Sequence, residues 1–168
     1  MKEYLECASV IRMHGLNGGL IVNHMCDSYE AFSKIKTLYL RANGAYTPLK
    51  VKKISPYKSG ALVLFSEICD ADSATRLRSK TLYAHRDDIP IDDGSFFIVD
   101  LLGLDVFDAD SGVRYGKLKD VINSGAQDIY VIEGDNGSLS YVPAIKEFVK
   151  EISLDKGILI TPIEGMIE

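Results

Sequence analysis

Glycine-bearing turns recur along the whole chain, and this regularity most constrains the fold. They stand at 16–19, 42–44, 58–60, 108–112, 134–137 and 155–157. Between many of them lie short segments rich in β-branched and aromatic residues, which favour strands. Many short strands separated by such turns are typical of small barrels and sandwiches. The pattern therefore predicts a mainly β protein.

Ten strands are predicted, at 8–12, 19–24, 36–41, 49–54, 61–65, 81–84, 105–107, 116–122, 129–132 and 157–160. Helices are few. Asp27 and Glu30 have the spacing of a capping box, and Asp70 or Asp72 caps a second helix. A third short helix is predicted after Pro143. Its apolar face would comprise Ala144, Ile145, Phe148 and Val149.

The chain divides near its middle. Residues 86–94 are polar, contain a proline and end in glycine, which is typical of a linker. Residues 1–90 hold 13 Lys/Arg and 9 Asp/Glu, whereas residues 91–168 hold 6 and 15. We predict an N-terminal β-barrel at 1–85, a linker at 86–94 and a C-terminal β-barrel at 95–168. The opposite charges suggest different partners, although surface charge also varies without such a role.

Several classes of protein are disfavoured. No apolar run approaches the roughly 20 residues needed to cross a bilayer, and early charges argue against a secretory signal. Cys7, Cys26 and Cys69 fit neither a disulfide framework nor a zinc pattern. These features predict a cytoplasmic protein with no membrane partner.

Residues with catalytic potential form no recognisable motif. The three histidines are scattered, and the glycine-rich segment at 14–19 lacks the features of a phosphate-binding loop. We therefore predict no enzymatic activity, catalytic residue, metal or cofactor. An enzyme whose active site is dispersed along the sequence remains the alternative, because catalytic residues need not be neighbours in sequence.

A series of ordered motifs spans the chain. It comprises His14-Gly15-Leu16-Asn17-Gly18, then Phe96-Phe97 with Asp100-Leu101-Leu102-Gly103-Leu104, Gly125-Ala126-Gln127-Asp128, Val142-Pro143 and Glu164-Gly165. Each motif is weak alone, but in this order they closely resemble the RimM family of ribosome maturation factors. The resemblance implies an N-terminal barrel like those of translation factors and a C-terminal PRC-type barrel.

The same resemblance implies a non-enzymatic role in ribosome assembly. Family members bind the free, immature small (30S) ribosomal subunit through the nineteenth small-subunit ribosomal protein, which lies in the head. They promote head maturation and 16S rRNA processing. A generic RNA-binding barrel protein is the alternative, although the acidic C-terminal half argues against it.

Three positions depart from the family pattern. Gly19 stands where the family usually has Glu, so any contact of that carboxylate is lost. Ser79 replaces a common Gly, at a cost of roughly 1 kcal/mol if its backbone is left-handed. Phe96 and Phe97 replace paired tyrosines, which keeps the aromatic area and removes the hydroxyl groups.

The acidic C-terminal half is suited to attract a basic ribosomal protein. The predicted binding residues are Phe96, Phe97, Asp100 and Leu101. If Phe96 and Phe97 lie in a strand, one ring faces the core and the other is available to a partner. Asp100 has a second possible role, as a cap of the turn that leads to Leu101.

The basic N-terminal half is the candidate for rRNA binding. The predicted rRNA-facing residues are Arg12, His14, Asn17, Lys50 and Lys52. The first three surround the glycine loop, whose amides could approach phosphates. Lys50 and Lys52 share one face of a predicted strand. A tight turn explains the glycines equally well, and a solvated strand face explains the lysines equally well.

Overall fold

A computed structural model describes all residues, Met1–Glu168. It contains twelve strands and three short α-helices and divides into two compact units, Met1–Asp93 and Gly94–Glu168. The predicted mainly β architecture is confirmed. Each unit has its own six-stranded sheet and its own hydrophobic core.

In the first unit, the strands are β1 (Tyr4–His14), β2 (Gly19–His24), β3 (Thr37–Ala42), β4 (Ala45–Tyr57), β5 (Gly60–Phe65) and β6 (Thr81–His85). They form a closed barrel in the order β1-β2-β5-β4-β3-β6. Alternate residues point inward, so Leu20, Val22, Val63 and Phe65 fill the interior. Closure leaves the barrel no unpaired sheet edge.

Two helices complete the first core. Helix α1 (Tyr29–Ser33) buries Phe32, and α2 (Ala71–Thr75) buries Ala74. Asp70 caps α2, because its carboxylate accepts a hydrogen bond from the Ser73 amide. Of the two predicted caps, Asp70 and Asp72, the first is therefore confirmed. The cap of α1 is Ser28, not Asp27, because the Ser28 hydroxyl accepts from the Ala31 amide.

The second unit contains α3 (Ile98–Leu101) and the strands β7 (Asp105–Asp108), β8 (Arg114–Asn123), β9 (Asp128–Glu133), β10 (Leu139–Pro143), β11 (Val149–Ser153) and β12 (Gly157–Ile160). Their order is β10-β9-β8-β7-β12-β11. Strands β7 and β12 pair in parallel, and the other neighbours are antiparallel. Ile132, Ile158 and Leu118 lie at the centre of the core.

The predicted helix after Pro143 is wrong. Residues 145–148 form a bend and a turn, and β11 begins at Val149. The helical spacing of Ala144, Phe148 and Val149 arises because a turn followed by a strand directs all three onto the second core.

The predicted linker residues are partly ordered. Arg86–Asp88 form a short 3-10 helix, and Ile89 packs against the first core. The division between the units falls after Asp93.

Candidate nucleic-acid and protein interfaces

Four side chains meet on the outer face of the first barrel. The Arg12 guanidinium donates to the Tyr57 hydroxyl at 3.1 Å, and its central carbon lies 5.9 Å from the centre of that ring. His14 meets the same ring edge-on at 5.3 Å, and the Lys58 ammonium lies 5.7 Å from it. We call Arg12, His14, Tyr57 and Lys58 the Tyr57 patch.

A β-bulge in β1 places two of these residues. The register of β1 with β2 shifts between Val10, opposite Val22, and Arg12, opposite Ile21. Val10 faces the core, and both Ile11 and Arg12 are exposed. An extra residue in one strand redirects the residues that follow it, so Arg12 and His14 both point outward.

The β4–β5 turn places the other two. Tyr57 pairs with Gly60 across a turn of two residues, Lys58 and Ser59. Lys58 adopts φ of 48°, a left-handed conformation that is unfavourable for a residue with a β-carbon. Backbone strain of this kind persists where the surrounding structure holds it, and it is concentrated at functional sites.

The positive charge of the Tyr57 patch is not neutralised by a carboxylate. Arg12 donates to the Tyr57 hydroxyl and to the Met13 carbonyl, and Lys58 contacts the ring. A cation close to an aromatic ring is attracted by the ring quadrupole and keeps its charge. The patch therefore combines positive charge with an aromatic ring. Proteins that bind single-stranded nucleic acids use this combination.

Gly19 lies beside this patch, opposite His14 in the register. A β-carbon at Gly19 would stand 2.7 Å from the His14 carbonyl oxygen and 3.2 Å from the Leu62 side chain. A larger residue at this position would require the strands to shift. In this chain the position is closely packed and carries no carboxylate.

The glycine loop has a structural explanation. Gly18 has φ of 84°, and a β-carbon there would lie 2.4 Å from the Ile68 carbonyl oxygen. Close packing thus requires this glycine whether or not a phosphate binds. Asn17 is exposed at the tip of the loop, beside Leu16, whose side chain is 82% exposed.

Lys50 and Lys52 lie farther along β4. Both are exposed, but they are seven and five residues from Tyr57, which is roughly 16–23 Å in a strand. The Lys50 amide donates to the Glu67 carboxylate at 2.9 Å. The structure therefore brings Arg12 and His14 together and leaves Lys50 and Lys52 outside the Tyr57 patch.

A second aromatic cluster covers another part of the same barrel. Tyr4 stacks on Tyr46 at 4.1 Å and meets Tyr39 edge-on at 4.9 Å, and Tyr46 meets Tyr83 at 5.3 Å. The tyrosines come from four strands, β1, β3, β4 and β6. The sequence alone indicated neither this cluster nor the contacts of Tyr57, because barrel closure brings distant strands together.

The predicted protein-binding segment of the second unit is not a strand. Phe96 and Phe97 precede α3, and both are half-buried. Phe96 packs against the second core. The expected inward and outward alternation of a strand is wrong here, because a chain entering a helix does not have that periodicity.

Helix α3 also changes the roles of two other residues. Leu101 is 4% exposed and belongs to the core, so its side chain is not available to a partner. Asp100 lies in the first turn of the helix, whose N-cap position is occupied by Phe97. In and beside α3, the exposed apolar residues are Ile98 at 47% and Leu102 at 41%, four positions apart on one side.

Two cations of the second unit are held by carboxylates. Arg114 donates to Asp105 and Asp135, each at 2.8 Å, and Lys119 donates to Glu133 at 2.7 Å. These pairs cancel positive charge locally. The remaining excess of carboxylates gives this unit its acidic character.

Asp108 is a carboxylate of the second unit whose ionisation is strongly favoured. The Tyr115 hydroxyl and then the Ser111 amide donate to Asp108 and lower its pKa to about 2. Burial, followed by the same hydrogen bond, raises the pKa of Tyr115 to about 12. Asp108 is therefore an anion at neutral pH and fixes the turn between β7 and β8.

The structure contains no cluster of three or more His, Cys, Asp or Glu side chains arranged to hold a metal ion. None of its helices has the length and apolar character needed to cross a membrane.

Comparison with known proteins defines the class from the two units. The RimM N-terminal domain matches residues 5–89, and the PRC-barrel domain matches residues 93–166. The molecule is therefore a tandem of a RimM-type barrel and a PRC barrel. This chain belongs to the RimM family of ribosome maturation factors, which confirms the resemblance found in its motifs.

Relatives match over nearly their full length. The ribosome maturation factor RimM of Lactobacillus helveticus is 34% identical over 167 residues, covering 98% of this chain and 97% of the relative. That of Clostridioides difficile is 33% identical over 173 residues, covering 100% of each. A 16S ribosomal RNA processing protein RimM of Pseudomonas aeruginosa has a solved structure with a TM-score of 0.48 at 18% identity, covering 95% of this chain and 98% of that one.

Proposed function

We propose that this protein is a non-enzymatic assembly factor that binds the free, immature small ribosomal subunit and promotes maturation of its head and processing of its 16S rRNA. The observation that carries the proposal is the Tyr57 patch, a cationic and aromatic surface in a chain of the ribosome maturation family. The free subunit also implies a cytoplasmic site of action.

The first barrel is the unit that contacts rRNA in this proposal. Arg12 and Lys58 supply positive charge to phosphates, and Tyr57 supplies a ring edge or hydroxyl to a sugar or base. Asn17 stands at the adjacent loop tip. Lys50 and Lys52, which lie outside the Tyr57 patch, provide a separate and weaker rRNA contact along β4.

The second unit is the partner of the head ribosomal protein, the nineteenth of the small subunit. Ribosomal proteins are basic, and an acidic surface attracts them over several ångströms before contact. Ile98 and Leu102 are the exposed apolar anchors, with Phe97 and Asp100 beside them. Phe96 and Leu101 support this surface from the core.

The test is capture from growing cells with the tagged full-length protein. We expect free small subunits to be enriched over mature ribosomes, and the double variant Arg12→Gln/Lys58→Gln to reduce that enrichment. The matched control is Lys117→Gln/Lys156→Gln, which removes two exposed lysines from the second unit. Equal recovery of free subunits and mature ribosomes would contradict the proposal.

A generic RNA-binding barrel protein is the rival, and the same surface would suit it. That class predicts equal binding to unrelated RNA and no binding to the isolated ribosomal protein. Binding of the purified ribosomal protein by the full chain, weakened as salt rises, therefore separates the two.

A further inference from the structure

Two thiols from different parts of the first unit lie side by side. Cys7 and Cys26 are 19 positions apart in sequence, and their sulfur atoms are 3.8 Å apart. Cys7 lies in β1 and is 1% exposed, whereas Cys26 follows β2 and is half-buried. The Met25 amide donates to the Cys7 carbonyl at 2.7 Å, which holds the Cys26 segment against β1.

The third cysteine provides a contrast. Cys69 is exposed, and its thiol donates to the Ser66 carbonyl oxygen at 3.2 Å. The thiol of Cys69 thus contacts a backbone oxygen, while the thiols of Cys7 and Cys26 contact each other. Proximity of two sulfur atoms is the geometric requirement for a disulfide, which needs them about 2.0 Å apart. Bond formation would therefore require the two sulfur atoms to approach from 3.8 Å to this distance.

We propose that Cys7 and Cys26 form a modification site at which a hydroperoxide such as hydrogen peroxide converts the two thiols into a disulfide. The proposal is independent of the ribosomal function. It assigns a chemical role to two residues that the binding surfaces do not use.

Exposure and ionisation set the order of events. The hydrogen bond with Cys7 lowers the pKa of Cys26, and the bond with Cys26 together with burial raises the pKa of Cys7. Cys26 therefore forms the thiolate first and is also the sulfur that a small oxidant reaches. Thiolates, not thiols, attack peroxides.

The reaction then proceeds in two balanced steps. The Cys26 thiolate attacks one peroxide oxygen, so an S–O bond forms as the O–O bond breaks, and the departing hydroxide takes up the proton that Cys26 released. The Cys7 sulfur next attacks the Cys26 sulfur. The S–S bond forms, the S–O bond breaks, and the hydroxyl leaves with the Cys7 proton as water. Overall, two thiols lose two electrons and two protons, and the peroxide becomes two waters.

The product would tie two ends of a hairpin. The closed loop runs from residue 7 to residue 26 and contains the turn between β1 and β2. A cross-link restricts the unfolded chain more than the folded one, so the first unit should become more stable. The midpoint of its thermal unfolding should rise by roughly 10 °C and return on reduction.

The test treats the full-length protein with hydrogen peroxide and measures its intact mass, its disulfide-linked peptides and its unfolding midpoint. We expect a loss of about 2 Da, one for each hydrogen atom removed. The peptides should join Cys7 to Cys26, and the midpoint should rise. Cys69→Ser, the matched control, should behave like wild type, and Cys26→Ser should lose the disulfide and the shift.

Two further results decide the mechanism. In Cys7→Ser, a dione probe for sulfenic acids should label Cys26, because the thiol that resolves this intermediate is missing; wild type should label far less. If Cys7→Ser does not fold, the linked peptide in wild type and its loss in Cys26→Ser carry the decision. An unchanged mass, or a disulfide that includes Cys69, would overturn the proposal. A Cys7–Cys26 cross-link without a shift in midpoint would overturn the stabilisation.

Discussion

The first unit presents two cations against an aromatic ring, whereas the second pairs two of its cations with carboxylates. Arg12 and Lys58 surround Tyr57, while Arg114 is bound by two aspartates and Lys119 by Glu133. Net charge alone describes both units poorly. The number of charged side chains available to a partner depends on what each side chain contacts. In this respect the two units differ more than their net charges suggest.

The units also differ in how their sheets end. The first sheet closes, and the second runs from β10 to β11 with one parallel pair inside it. A closed barrel fixes each residue on its outer face through two neighbouring strands, which suits a precise cluster such as the Tyr57 patch. In the second unit, the candidate binding residues lie in α3 and the segment before it, not in the sheet.

The largest expected effect tests whether the two cores are independent. Phe32→Ala removes a ring that is 0% exposed in the first core and should destabilise the first unit by about 3–5 kcal/mol. Ile132→Ala in the second core is the matched change, at about 2–5 kcal/mol. Hydrogen exchange followed by mass spectrometry should show each loss of protection in one unit only.

Loss of protection in both units after either substitution would contradict independent cores. A complementary measurement uses fragments 1–93 and 94–168, cut at the division between the units. Each should retain a β-type circular dichroism spectrum. Two unfolded fragments from a chain that folds intact would make the units mutually dependent.

The next effect concerns available charge. Each phosphate contact contributes roughly 0.7–0.9 to the slope of log affinity against log salt. Arg12→Gln/Lys58→Gln should therefore flatten the slope for subunit binding by about 1.4–1.8. Binding to the isolated ribosomal protein should stay unchanged.

Lys50→Gln/Lys52→Gln provides the comparison. We expect a smaller change in slope, because these side chains are not held on a ring. An equal change in slope would indicate that the rRNA-binding surface continues along β4. An unchanged slope in Arg12→Gln/Lys58→Gln would show that the Tyr57 patch makes no phosphate contacts.

A smaller effect separates packing from binding in the second unit. Phe96→Ala should cost about 2–4 kcal/mol of stability, because Phe96 packs against the core but is partly exposed. Ile98→Ala should change stability by about 0.5 kcal/mol or less and weaken ribosomal-protein binding by about 2 kcal/mol if it is an anchor. Thermal unfolding and a binding titration measure the two quantities.

Opposite behaviour of this pair would exchange the roles of the two side chains. Leu16→Ala is the control, since Leu16 is the most exposed leucine of the first unit and lies outside the second. It should leave both quantities unchanged.

Local patterns were sufficient for most of the fold. The strands at Gly19–His24 and Gly157–Ile160 have the predicted bounds, because each begins at a turn glycine and alternates or runs apolar until a polar residue. Strands β10 and β11 were missed. Pro143 in β10 and the charged residues of β11 weaken the strand signal, and both strands form through pairing with β9 and β12.

The candidate sites were only half accessible from sequence. Arg12 and His14 could be found because they border the glycine loop. Tyr57 is 45 positions from Arg12, and only the closed barrel brings it there. In the second unit, Leu101 is buried while Ile98 and Leu102 are exposed, and the geometry of a short helix, which the sequence did not predict here, decides this.

The smallest predicted effect concerns backbone strain at Ser79, one of the three positions at which the sequence departs from the family pattern. Ser79 has φ of 64°, so the left-handed conformation on which the cost of serine depends is present. Its amide donates to the Val10 carbonyl at 2.9 Å, next to the bulge of β1, so the backbone is held in place. Ser79→Gly should stabilise the first unit by about 1 kcal/mol, because glycine adopts this conformation without steric cost.

Asn43→Gly, at φ of 52° in the β3–β4 turn, is the control and should gain less, since asparagine tolerates the region. Denaturant unfolding of each variant measures both. A gain at Asn43 equal to or larger than that at Ser79 would contradict the expectation that the serine backbone is the more strained of the two.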